Sequence, residues 1–83
     1  MFKKNDIIVR INKHCNRLFV DDIVKVHSYR SSSDLSIYDK NEEEDSGWWS
    51  MNFRLATQQE INAYNRGIRN INDIKKQLII QIY

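Results

Sequence analysis

The chain is 83 residues long, with 13 basic and 11 acidic side chains, a formal charge of +2, two glycines and no proline. A chain this short forms one domain and buries about 60 to 65% of its unfolded surface, which leaves little room for both a core and an enclosed catalytic cleft. A single cysteine, Cys15, excludes an intrachain disulfide, and the polar opening Met1 to Asp6 holds no apolar run for a signal peptide or membrane span.

The first predicted strand is Ile7-Ile8-Val9-Arg10-Ile11, short and β-branched between Asn5-Asp6 and Asn12. Leu18-Phe19-Val20 leads through Asp21-Asp22 into a second strand, Ile23 to Tyr29, with Val24 and Val26 on one face and Lys25 and His27 on the other. Arg30 to Asp34 is a polar break, so a hairpin joins this strand to Leu35-Ser36-Ile37-Tyr38. Asp39 to Gly47 holds no apolar residue and carries the acidic run Glu42-Glu43-Glu44-Asp45. It is expected as an exposed loop ahead of a strand over Trp48 to Phe53.

Adjacent tryptophans on a strand point to opposite faces. One of Trp48 and Trp49 therefore enters the core, and the other becomes a candidate contact residue. Thr57 followed by Glu60 is a capping box, which starts a helix near Gln58 and ends the strand near Ala56. That helix runs to about Arg66, with Gly67 as its C′ residue. Ile68, Ile71, Ile74 and Leu78 then recur every three or four residues, predicting a second amphipathic helix from near Asn70 or Asn72 to about Gln81. The β-branched end, residues 78–83, fits a strand on a sheet edge as an alternative.

Residues 2–66 resemble the small SH3-like β-barrel proteins of tailed bacteriophages. The resemblance rests on Phe2-Lys3-Lys4-Asn5-Asp6, Phe19-Val20-Asp21-Asp22 and Phe53-Arg54-Leu55-Ala56-Thr57-Gln58-Gln59-Glu60-Ile61. Two turn glycines usual in that pattern are replaced here by Asn5 and Asp21, residue types that tolerate left-handed turns. The fold class expected is α+β, a small antiparallel SH3-like barrel of four to five strands over residues 2–56, followed by one or two helices over 57–83. The resemblance further implies a phage origin, action in the host cell cytoplasm, and a role in countering bacterial defence. Some phage proteins of this size resemble sponges that sequester cyclic nucleotide signals.

The residue types favour a non-enzymatic binding protein. Neighbouring His14 and Cys15 face opposite ways and form no catalytic dyad, and a zinc site would need His14, Cys15 and His27 to converge with a carboxylate. No cofactor is expected, and the glycines are too few for a phosphate loop. Nucleotide binding needs cations for phosphate and aromatic faces for bases, and Arg10, Lys25, Arg30 and Arg54 with Tyr29, Tyr38, Trp48 and Trp49 supply both. The first expectation is therefore capture of a small linear or cyclic nucleotide, with Arg10, Tyr29, Arg30, Trp48, Trp49 and Arg54 as the ligand residues. The alternative is masking of a host protein through Glu42, Glu43, Glu44 and Asp45 and the exposed tryptophan. A nucleic-acid-binding accessory role is a further alternative, weakened for long polymers because the acidic run repels phosphate. Ile79, Ile80 and Ile82 exceed what one apolar stripe needs, which points to a homo-oligomer.

Overall fold

A computed structural model describes residues 1–13, 15 and 17–75. The elements in chain order are β1 (Ile7–Arg10), β2 (Ile23–Ser31), β3 (Asp34–Tyr38), β4 (Glu44–Trp48), a 3₁₀ turn (Ser50–Asn52), β5 (Phe53–Leu55) and α1 (Gln58–Asn65). Residues 71–75 are helical as well. The strands form one antiparallel sheet in the order β4-β3-β2-β1-β5. The sheet is open: β4 and β5 are its two edges.

The long strand β2 joins the two halves of the sheet. Its first residues pair with β1 through Val24 opposite Ile8, and its later residues pair with β3 through Val26 opposite Ile37. Register shifts between Val26 and Ser28 and between Tyr29 and Ser31 break that second ladder, and such bulges bend and twist a strand locally.

β1 is buried on both faces, which is why it reads as an uninterrupted apolar run. Ile8 points into a cluster with Phe2, Leu18, Val26, Leu35, Ile37, Trp48 and Phe53. Ile7 and Val9 point the other way, into a second cluster with Ile23, Ala63, Ile68 and Ile74. Complete burial of a side chain such as Ile8 contributes about 1.5–3 kcal/mol. The second cluster makes α1 and the residues after it part of the core. Two backbone bonds anchor this return, from Ile23 N to Arg69 O (2.9 Å) and from Ile71 N to Asp21 O (3.0 Å).

Helix α1 is short for a stable isolated helix, and both of its ends are tied. Thr57 Oγ1 accepts from Glu60 N and Glu60 Oε1 accepts from Thr57 N, completing the capping box. At the other end Ile68 N donates to Ala63 O and Gly67 N to Tyr64 O. With Gly67 at φ +96°, these bonds form a Schellman motif, and Ile68 and Ala63 make its apolar contact.

The acidic segment differs from its expected form. Glu44 and Asp45 lie on the edge strand β4, paired with Tyr38 and Ile37, so the exposed loop shrinks to the turn after β3. Both acids find cations: Glu44 Oε2 lies 3.2 Å from Arg30 Nη2 and 3.6 Å from His27 Nδ1, and Asp45 Oδ1 lies 3.0 Å from Arg17 Nη1. The expected tryptophan strand is correspondingly divided, with β4 ending at Trp48 and the 3₁₀ turn separating it from β5. Gly47, at φ +84°, lies within the register shift between β3 and β4. The expected continuation of the second helix to Gln81, and its strand alternative over 78–83, lie outside the described residues. No helix among the described residues is long and apolar enough to cross a membrane.

Candidate functional site

Two adjoining hollows form a groove where the end of β3, the following turn and the C-terminal end of α1 meet. They enclose about 500 and about 300 Å³ and share Tyr38, Asp39, Lys40, Tyr64 and Arg69. The Schellman turn at Gly67 reverses the chain and brings Arg69 back over the last turn of α1. Its guanidinium lies 3.7 Å from the Tyr64 ring centroid. Arg69 Nη1 donates to Tyr64 O (2.8 Å), a carbonyl of the last helical turn, and to Ile68 O (3.2 Å), and the two bonds fix the stack. Lys25, brought across by β2, has Nζ 5.9 Å from the same ring. Tyr64 is thus a ring with two cations beside it.

The charges of the groove are unequally engaged. Asp39 Oδ1 accepts from the backbone N–H groups of Asn41 (2.8 Å) and Glu43 (3.0 Å), so this carboxylate shapes the turn. Asp45 is paired with Arg17, and Asp22 accepts from Phe19 N and Asn70 Nδ2, both at 2.8 Å. Lys25, Lys40 and Arg69, by contrast, pair with no carboxylate among the described residues. The groove therefore sets three cations without such a pair beside two phenol rings, and Asp22, Asp39, Asp45 and Glu42 also line it, a combination suited to an aromatic ligand that carries both an anionic group and hydrogen-bond donors.

Comparison with protein-family models, with curated proteins and with solved structures returned no match. The reading of the site therefore rests on its own geometry.

The residues singled out in the sequence are dispersed by the fold. Arg10 is 4% exposed and lies inside the core end of β1, 5.2 Å from the Trp48 ring and 5.0 Å from Phe53. Its Nε and Nη2 donate to Lys13 O at 3.2 and 2.8 Å. Burial lowers its pKa from the ordinary arginine value, with Cys15 acting in the opposite direction. Trp48 is buried beneath Arg17, whose guanidinium is 4.8 Å from the ring, whereas Trp49 is 55% exposed. Arg10 Nη1 and Trp48 Nε1 are buried donors with no hydrogen-bond partner among the described residues. Tyr29 is half-buried, edge-on to Phe2.

Arg54 and Arg30 are both committed within the chain. Arg54 grips Glu60 through two 2.8 Å bonds, and Arg30 reaches Ser36 Oγ and Glu44 at 3.2 Å and Asp34 at 3.6 Å. Hydrogen bonding from Ser36, and then from Arg30, holds the Glu44 carboxyl below the usual range, aided by His27. Of the six predicted ligand residues, Arg10 and Trp48 are in contact with each other and none lines the groove. Of the four acids, Asp45 lies at one end of the groove and Glu42 at the other. His14, weighed for a metal site, lies outside the described residues.

Lys40, Tyr64 and Arg69 were not singled out from the sequence. A signal for two of them is present in Tyr64-Asn65-Arg66-Gly67-Ile68-Arg69. A C′ glycine reverses the chain, so the residue two positions beyond it returns toward the last helical turn.

Proposed function

We propose that the protein is a non-enzymatic binding module that captures a small nucleotide in the groove between Tyr38 and Tyr64. The observation that carries this reading is the convergence of Lys25, Lys40 and Arg69, none with a carboxylate partner among the described residues, around a groove lined by two tyrosines. A phosphate gains charge-assisted hydrogen bonds from the cations, and a base gains stacking on an aromatic or guanidinium face worth about 1–3 kcal/mol. The proposed binding surface is thus the groove at the C-terminal end of α1 and not the exposed Trp49. The resemblance of residues 2–66 to phage barrel proteins supports a setting in the cytoplasm of an infected host, with capture of a cyclic or linear nucleotide signal as the means of countering defence. The barrel reading itself is supported by β2, which pairs with both β1 and β3, and by the 3₁₀ turn between β4 and β5.

Calorimetric titration with a panel of linear and cyclic nucleotides tests the capture reading. Binding that falls about tenfold in Lys25→Ala, with an unchanged melting temperature, supports it; a panel without any binding dismisses it.

A second reading, docking on a host protein, is favoured by the exposure of Trp49 (55%) and Met51 (70%) at the 3₁₀ corner. Tryptophan is a common anchor of protein interfaces. Leu55, 56% exposed on the edge strand β5, adds apolar surface and supports self-association. Native mass spectrometry reads the subunit number directly, and a monomer at micromolar concentration removes the homo-oligomer from the account.

A further inference from the structure

The two hollows of the groove differ in chemistry. The larger one is floored by Leu18, Ile23, Val24 and Ile37, and its polar wall includes Asp22 and Asp45. The smaller one adds Lys25 and Asn5 to the shared residues, together with Glu42, an acid in no ion pair among the described residues. A carboxylate offers about four acceptor positions. The hydrogen bonds to Asp22 occupy two of them and the bond to Asp45 one. Among the described residues both acids, which line the hollow, thus keep acceptor capacity. Lys40 and Arg69 lie on the side shared with the smaller hollow, and Arg17, the cation found in the larger hollow alone, has Nη1 on Asp45 and its guanidinium over Trp48.

Resting on the nucleotide reading above, we infer that the groove orients its ligand and selects the base. The base occupies the larger, apolar-floored hollow, and the phosphate lies at the Lys25 and Arg69 end. The spare acceptors of Asp22 and Asp45 favour a base with an exocyclic amino group over one with a carbonyl at the same position. A carbonyl there leaves an acceptor facing acceptors, and an unmatched polar pair in a partly desolvated site is costly. Glu42 opposes the phosphate end, so its charge limits affinity.

Calorimetry on the full chain with AMP, IMP, adenosine and inorganic phosphate tests this. The expected result is AMP at least tenfold tighter than IMP, with the gap narrowed in Asp45→Asn. Lys25→Ala weakens AMP and leaves adenosine unchanged, and Glu42→Gln tightens AMP a few-fold. Equal affinity for AMP and IMP overturns the base preference while leaving nucleotide capture standing. Loss of adenosine binding in Lys25→Ala overturns the orientation. Failure of AMP, IMP and adenosine to bind overturns the inference, and the capture reading falls with it when the linear and cyclic nucleotide panel also fails to bind. Thermal melts of each variant separate loss of binding from loss of fold.

Discussion

Glu60 ties β5 to the start of α1 through one carboxylate. Its Oε1 accepts from Thr57 N and Arg54 Nη1, and its Oε2 from Arg54 Nη2, all at 2.8 Å. Arg54 first, then the Thr57 backbone, bring its pKa down from the ordinary value to about 2 against the opposing effect of burial. A value depressed in the folded state contributes stability that is fully present above the unfolded value of about 4.5 and is lost as pH falls toward 2. Arg54 is 40% exposed, so solvent screening reduces the contribution to about 1–3 kcal/mol. Urea denaturation between pH 5 and pH 2 should show that loss, and Glu60→Gln should flatten it; a slope unchanged in Glu60→Gln contradicts the assignment. The tryptophans make a second residue-scale contrast. Trp48→Ala should lower stability by about 3–5 kcal/mol, and Trp49→Ala by less than about 0.5 kcal/mol, in the same assay. Adjacency on an extended chain made one buried and one exposed tryptophan legible in the sequence, but their assignment depends on which face the fold covers.

At the scale of elements, local punctuation was the most readable feature. The capping box and the C′ glycine bracket α1 within a residue of the expected ends, since both act through bonds to near neighbours. Asn5 and Asp21 both stand at φ +74°, the left-handed turns expected where these residues replace glycine. A Cβ at Gly67 meets no atom within 4 Å, so Gly67→Ala should cost only the conformational penalty of its positive φ, about 1 kcal/mol by chemical denaturation. A larger cost would mean that the loop after α1 also loses its packing. By the same logic Asn5→Gly should be neutral or stabilising by up to about 1 kcal/mol. The acidic segment was not legible, because composition alone reads Glu44 and Asp45 as loop. Their place on β4 depends on Arg30, His27 and Arg17, which lie far away in sequence.

For the molecule as a whole, two apolar clusters share β1 between them, and the return of the chain after Gly67 completes the second. The α+β class and antiparallel order follow from patterns visible along the chain. The candidate site was less visible because it is assembled from a strand, a turn and a helix end: Lys25, Lys40, and Tyr64 with Arg69. Arginines that looked free in the sequence meet acids only once the chain folds, as Arg30 does with Glu44 and Arg54 with Glu60. Lys25, Lys40 and Arg69 around Tyr64 have no such pair among the described residues, and this groove, not the exposed tryptophan, is the proposed ligand site. The most direct test is a nitrogen-15 correlation spectrum of the protein titrated with AMP. The account predicts shifts concentrated at Lys25, Tyr38, Lys40, Tyr64 and Arg69 with Trp49 and Met51 unmoved. Shifts centred on Trp49 and Met51, or a spectrum that does not change at millimolar AMP, would contradict it.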